Sequence, residues 1–338
     1  MTRRAAVCIL FWVGSITAQK GPFRVKTSVV QVPVIVTDRN GGNFGGLSGS
    51  DFKVLDDNIV QEVTVDDFTT GLAPISLAIA IQTSGISSPA LTRIRHIGGM
   101  IQPLVLGLKG EAAVMTFDRD VSWLQDFTPD DNKLRDVLKD LKSGSAMSQA
   151  RMFDAIVEVA DRMQERKGRK VVLLISESRD RASETTFQQA VEAVERQGIE
   201  VFAATYSAYA TSLIAKPKDL PDLPTQVISG DPSDWPDSPP GVDFLAIFSE
   251  VARLGKTNAT QALTRATGGA DYRFVKDRGI EEAIEKLGRE IHSQYLLSFP
   301  QRQGRTGRHQ IQVLVPDHRN LRIRSRHTYW ADQTREPQ

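Results

Sequence analysis

The stretch ISLAIAIQTSGISSP, Ile75 to Pro89, is where this chain comes nearest to a chemical site. An apolar strand runs into a hydroxyl-bearing turn, and a helix opens at Ser88-Pro89. A doubly wound sheet holds an ion or a phosphate at such a strand end. A hard cation there needs oxygen ligands, carboxylates above all. The strand ends instead on Gln82, whose carboxamide carries no charge, and Ser84 follows in the turn.

Other chemistries find less support. The five histidines (His96, His292, His309, His318 and His327) show no paired-ligand spacing, so a zinc site is not expected. Neither a Gly-x-Ser-x-Gly elbow nor a phosphate-binding P-loop is present, and Thr83-Ser84-Gly85 has no assignable histidine and acid beside it. No enzymatic activity is therefore expected, an enzyme of unrecognised chemistry being the alternative. Between Gln301 and Trp330 stand seven arginines and one acid, Asp317. Alternation along RIRSR sets Arg322, Arg324 and Arg326 on one strand face, either solvated or open to an anionic partner. Trp123, Trp235 and Trp330 read as packing residues, with Trp235, in a proline-rich stretch, the alternative candidate for a partner contact; Ser87 and Asp180 are further candidate contacts.

The elements that must position these residues follow two grammars. From Phe23 to Phe68 the pattern is strand-like, with an Asp-Asp-Asn turn and with Pro33 marking an edge or a bulge. From Pro74 onward, buried strands (ISLAIAI, EAAVMTF, KVVLLIS, IEVFAATYS) alternate with helical stripes. Leu91, Ile94, Ile97, Ile101 and Leu104 form one stripe, ended or kinked by Pro103. Thr128-Pro129-Asp130-Asp131 reads as a hydroxyl cap with proline in the first turn. The last forty residues return to strands in YLLSF, HQIQVLV and NLRIRSRHTYW. These patterns predict an α/β fold: a doubly wound, mostly parallel sheet with a small β domain formed by the N- and C-terminal segments. The expected boundaries are residues 19–72 and 293–331 for the β segments and 73–292 for the α/β domain. A proline-rich insertion covers 208–241 and a tail 332–338.

Composition sets the setting. The formal net charge is +1, which leaves no global electrostatic case for nucleic acid or an anionic membrane. Residues 1–18 have the layout of a signal peptide: Arg3 and Arg4, an apolar run from Ala5 to Val13, then small residues up to Ala18. Cleavage there leaves a mature chain without cysteine and without a transmembrane anchor, because the only cysteine is Cys8. The expected location is outside the cytoplasm, periplasmic or secreted.

VVQVPVIVTDRNGG…GLSGSDFKVLDDN, AVMTFDRDVSWLQDFTPDDNKL, ATGGADYRF and SQYLLSF, in this order, resemble the exported acidobacterial proteins related to the von Willebrand factor A domain. The resemblance covers nearly the whole mature chain. It implies a metal-ion-dependent adhesion site of pattern Asp-x-Ser-x-Ser, a Thr on a later loop and an Asp after the fourth strand, usually holding magnesium. Here Gln82 stands for the first Asp, Ser84 matches, Ile86 replaces the second Ser, Ala150 the Thr, and Glu177 the last Asp. Ile86 and Ala150 bring no donor oxygen, so the resemblance implies a degenerate site and no cofactor. The alternative is a Mg2+ site rescued by Ser87, Ser145, Ser148 or Asp180. The function implied is non-enzymatic: an interaction or adhesion module for a protein partner at the cell envelope or outside the cell.

One outcome follows from the amino-terminal layout. Amino-terminal sequencing of protein recovered from outside the cytoplasm should begin at or near Gln19; an intact Met1 on cytoplasmic protein would contradict it.

Overall fold

The computed structural model describes residues 29–67, 74–84, 88–144, 149–206, 258–274, 279–302, 306–318 and 320–331. The expected signal segment, the 208–241 insertion, and Ile86, Ser87, Ser145, Ser148 and Trp235 lie outside these residues.

Four strands come first: β1 (Val29–Thr37), β2 (Lys53–Asp56), β3 (Ile59–Gln61) and β4 (Thr64–Asp67). Asp57 and Asn58 join β2 to β3 with φ of 48° and 65°, the left-handed conformation that Asp and Asn tolerate in two-residue hairpins. The chain then enters β5 (Ile75–Gln82), all eight of whose residues are buried.

The expected single helix after β5 is broken into pieces. Helices α1 (Ser88–Ile94) and α2 (Gly98–Ile101) are followed by a π-helical turn at Gln102–Leu106 that contains Pro103. Two causes are visible. Proline lacks the N–H of a regular turn, and Gly98 packs so tightly on the next helix that a Cβ would stand 2.8 Å from the Arg135 Cα. The apolar stripe survives the break, since Leu91, Ile94, Ile97 and Ile101 are all buried.

Next come β6 (Glu111–Phe117), β7 (Val121–Thr128), α3 (Asp131–Lys139), α4 (Met152–Arg162), β8 (Arg169–Ser176), α5 (Phe187–Arg196), β9 (Glu200–Tyr206), α6 (Ala259–Thr267), β10 (Asp271–Phe274) and α7 (Gly279–Ile291). The cap of α3 differs from expectation. Asp130 is the N-cap and accepts from the amides of Asn132 and Lys133, while Thr128 Oγ1 accepts from the Asp130 amide one step earlier. A carboxylate at that position also meets the positive end of the helix dipole.

These strands form one sheet in the order β10-β9-β8-β5-β6-β7, parallel except for β7 at the edge. Successive side chains of β5 take opposite faces. Leu77, Ile79 and Ile81 pack under α1, α2, α3 and α7. Ala78 and Ala80 face α4, α5 and α6, where Met115, Phe117, Met152 and Ile156 fill the space that small residues leave. The sheet is doubly wound, as the alternating pattern predicts.

The chain ends in β11 (Tyr295–Pro300), β12 (Gly307–Leu314), β13 (Arg322–Ser325) and β14 (Thr328–Ala331). They interleave with the first four strands in two antiparallel sheets, β13-β1-β11-β4 and β14-β12-β2-β3. The inner faces of the two sheets share a core of Val32, Val34, Phe52, Val54, Leu297, Phe299, Ile311 and Tyr329. The small β domain is thus built from both ends of the chain. Two local expectations change. Pro33 sits in a central strand rather than an edge; β13 covers β1 only at Val34–Thr37, so the proline lies just past that ladder. NLRIRSRHTYW is not one strand but two, β13 and β14, in different sheets.

The two bodies meet at the amino ends of the parallel strands. Arg169, at the start of β8, donates from Nη2 to Glu200 Oε2 at 3.1 Å and from Nη1 to the carbonyl of Ile291 at 2.9 Å. Gln294 bonds to both Arg169 and Glu200. Both charged side chains are 4% exposed. Burial pushes the Glu200 carboxyl above its ordinary range, and Arg169 beside it pulls the other way. Arg169→Met should therefore cost about 3 kcal/mol, the penalty of stranding a buried charge. With the cation gone, the folded-state pKa of Glu200 rises further, so its contribution is kept at low pH and lost as pH rises through that raised value. Urea denaturation should show the deficit widening as pH rises above the ordinary carboxylate range; a deficit independent of pH would refute this account.

Candidate functional site

Counted from β5, the strand order of the main sheet is 3-2-1-4-5-6, so its topological switch lies between β5 and β8. Open α/β sheets bind ligands at the carboxyl ends of strands beside that switch. Gln82 is the last residue of β5, and Glu177 directly follows β8. The two stand on opposite banks of the crevice.

Gln82 crosses it. Its Nε2 donates to Ser84 Oγ at 2.9 Å, and its Oε1 accepts from the Glu177 amide at 3.0 Å. The residue is fully buried, and Thr83 and Ser84 are nearly so. A carboxamide offers a donor and an acceptor from one planar group, so it can tie a hydroxyl on one bank to a backbone amide on the other. A carboxylate could accept from the amide but could not donate to Ser84.

The Glu177 carboxylate is engaged within the chain as well. Arg181 Nε donates to its Oε1 at 3.1 Å, with 6% of the Glu177 side chain and 42% of the Arg181 side chain exposed. The Arg181 amide bonds to the Ala150 carbonyl at 3.0 Å. Ala150 itself is 1% exposed and packs in the core beneath α4. A larger residue at 150 would have to displace that packing.

Asp180 points to a helix rather than into the crevice. Its Oδ1 accepts from the Phe153 amide at 3.2 Å and from Ser183 Oγ at 2.6 Å. Ser183 Oγ also accepts from the amides of Phe153 and Asp154. Arg151, the N-cap of α4, offers no side-chain cap, so Asp180 and Ser183 satisfy that helix end from a neighbouring loop.

Sequence patterns did not reveal the backbone stitching around this site. The Gly144 amide donates to the Thr83 carbonyl at 2.6 Å, Thr83 to Phe117 at 3.0 Å, and Arg151 to Asp118 at 2.9 Å. A Cβ at Gly144 would stand 1.9 Å from Asp118 Oδ2, so a larger residue there would have to turn that carboxylate aside. The loops after β5, β6 and β8 and the segment before α4 are thus joined without any ion.

The donor chemistry does not fit magnesium. Among the described positions, Gln82 is neutral and used at both ends, Ala150 has no side-chain oxygen, and the one carboxylate is paired with arginine. Magnesium sheds water reluctantly and needs carboxylates to repay the loss.

The arginine face expected in the carboxyl-terminal strands is not a common face. Arg322 is exposed. Arg324 donates to Glu290 of α7. Arg326 is 7% exposed and donates to the Gln31 carbonyl of β1. Burial pushes the Arg326 guanidinium down to about 10. Arg324 ties the sandwich to α7 and Arg326 is held inside the sandwich, which leaves Arg322 as the exposed member of the three.

No family model matches this chain, and no curated protein matches it. Solved structures similar to it include the vWF domain of the type V pili tip protein Mfa5 from Porphyromonas gingivalis. That likeness has 14% identity and a TM-score of 0.27, over 32% of this chain and 39% of the Mfa5 chain. The conserved hypothetical protein BatB from Bacteroides thetaiotaomicron is similar at 14% identity and a TM-score of 0.40, over 64% of this chain and 98% of that one. The SpRpn10 VWA domain is similar at 12% identity and a TM-score of 0.29, over 40% and 76%. Likenesses of this size say nothing of function. The α/β layer is a doubly wound sheet with the strand order 3-2-1-4-5-6 and its switch between β5 and β8.

The Gln82 bridge makes a measurable claim. Gln82→Ala should destabilise the protein by about 2–4 kcal/mol, since it opens a buried gap and strands the Glu177 amide. Ser84→Ala, which removes one acceptor, should cost about 1 kcal/mol. Chemical denaturation of both variants checks the ranking; equal, negligible losses would contradict the bridge.

Proposed function

We propose that this chain is an exported, non-enzymatic protein-interaction module whose strand-end face works without a bound metal ion. The observation that carries the reading is the Gln82 carboxamide spanning the switch crevice, from Ser84 on one side to the Glu177 amide on the other. The crosslink that a cation would supply is made by a neutral side chain, and Arg181 supplies the positive charge beside Glu177. The crevice then presents a preformed surface to a protein partner at the cell envelope or outside the cell.

A non-enzymatic role is supported by the character of the open groove at the opposite, amino end of the sheet. Its walls include Lys109, Glu111, Asp126, Glu158, Arg162 and Arg166. Four of these are engaged with each other, Arg166 with Glu111 and Arg162 with Asp126. Among the described residues, no helix is long and apolar enough to cross a membrane.

The test is metal dependence. Melting of the EDTA-treated mature protein should be unmoved by millimolar Mg2+, because a ligand stabilises only as its concentration exceeds its dissociation constant. Envelope proteins captured on the immobilised chain should be the same in EDTA and in Mg2+. A rise of several degrees with Mg2+ that Ser84→Ala abolishes would replace this reading with a magnesium-dependent adhesion site. Converting the site should take more than ligands. Gln82→Asp, Ile86→Ser, Ala150→Thr and Glu177→Asp together should confer Mg2+ binding only at a loss of stability, since the added atoms at position 150 enter packed core.

A further inference from the structure

The β domain brings together three side chains that stand at opposite ends of the chain. Strand β12 pairs on one side with β2, placing Ile311 opposite Asp56, and on the other with β14, placing His309 opposite Tyr329. The Asp57 amide donates to the Gln310 carbonyl at 2.9 Å, which pins the hairpin tip against β12. His309 therefore lies between the Asp56-Asp57 turn and the Tyr329 ring, on which it stacks with centroids 5.0 Å apart.

Each carboxylate has one oxygen already held. Asp56 Oδ2 accepts from the Tyr329 hydroxyl at 3.1 Å, and Asp57 Oδ1 accepts from the Gln310 amide at 3.0 Å. The other two oxygens turn to the imidazole: Asp57 Oδ2 is 3.0 Å from His309 Nδ1, and Asp56 Oδ1 is 3.4 Å from it. All three atoms lie within 4.8 Å of one another. Asp56 is fully buried, and its Oδ1 accepts no hydrogen bond from any described group. A carboxylate oxygen in that condition calls for a cation.

Two of the three spacings match coordination, since ligand atoms about 2.0–2.2 Å from a first-row metal ion stand roughly 2.9–3.5 Å apart in octahedral or tetrahedral shells. The two carboxylate oxygens lie within 4.8 Å of each other. The tyrosine and the amide act as the outer shell that orients metal ligands in proteins. Burial raises the Asp56 carboxyl, the Tyr329 hydrogen bond lowers it, and Arg302 stands near enough to lower it as well.

We propose that Asp56, Asp57 and His309 form a binding site for one divalent transition-metal ion of the zinc class, which clasps the β2–β3 hairpin to β12. An imidazole among the ligands favours transition metals over magnesium and calcium. The site stands apart from the strand-end crevice and does not depend on how that crevice works.

The test uses the untagged mature chain, stripped with EDTA. Calorimetric titration should find one equivalent of Zn2+ bound at micromolar concentration, a melting temperature raised by several degrees, and a visible d–d spectrum on Co2+ substitution; Mg2+ and Ca2+ should do nothing. Asp57→Asn should abolish zinc binding while the metal-free chain still folds, because the turn position is partly exposed, asparagine accepts its positive φ and its carboxamide oxygen can still accept from the Gln310 amide. Tyr329→Phe, a change in a positioning residue, should weaken zinc by about tenfold without abolishing it. Ser84→Ala should leave zinc binding intact, which separates this site from the crevice. Absence of zinc binding, or binding undiminished by Asp57→Asn, would overturn the proposal and leave His309 as an internal partner of the two carboxylates.

Discussion

The buried ion pair between Arg169 and Glu200 is the constraint on which the arrangement of the molecule rests. Both residues begin parallel strands, and both are almost wholly removed from water. Moving either charge alone into that environment costs several kcal/mol, and the pair is tolerable only because the remaining hydrogen-bonding capacity is met nearby. Gln294 and the Ile291 carbonyl meet it. These two groups belong to the end of α7 and the residue just before β11, where the chain leaves the α/β sheet for the β sandwich. The ion pair therefore does more than stabilise two strands; it fixes the exit angle of the chain.

From that point the relative placement of the two bodies follows. The chain enters the sheet at β5 and leaves it after α7 at the same amino end, so the sandwich must sit there. Further polar ties repeat the arrangement. Tyr272 and Arg324 both bond to Glu290, and Arg308 and Thr328 both bond to Glu195 at the end of α5. Gly268 belongs to the same contact: at φ 84° it caps α6, and a Cβ would stand 2.6 Å from the Arg326 amide. The sandwich takes up only part of that end, since the groove walled by Glu111, Asp126, Arg162 and Arg166 stays open there.

What was legible in the amino-acid order was what repeats locally. Continuous apolar runs gave the parallel strands, and stripes such as Met152, Ile156 and Val159 gave the helix faces, because burial acts on each element through its own period. The union of the two terminal segments was legible too, since a few strands with one apolar face cannot stand alone. Pairings between distant charges were not. Alternation along RIRSR said that three arginines share a face; it could not say that Glu290 and the Gln31 carbonyl would claim two of them, or that the run would break between two sheets. The Asp56, Asp57 and His309 cluster was hidden for the same reason. Only the register of β2, β12 and β14 brings it together, and spacing rules for metal ligands search within one segment.

At the crevice, residue types showed what was missing but not what replaced it. A metal ion joins loops reversibly, and a partner that supplies a ligand to that ion can couple its own binding to the loops' positions. A carboxamide bridge has no such open coordination place. Gln82 holds Ser84 and the Glu177 amide whether or not a partner is present, so the bridge itself has no differential affinity to offer between two loop arrangements. A ligand shifts an equilibrium only by the difference in its interaction with the two states. On the proposed reading, a recognition surface built over the Gln82 bridge is constitutive: its affinity is set by shape and by the groups around the crevice, and the divalent ions of the medium have no lever on it.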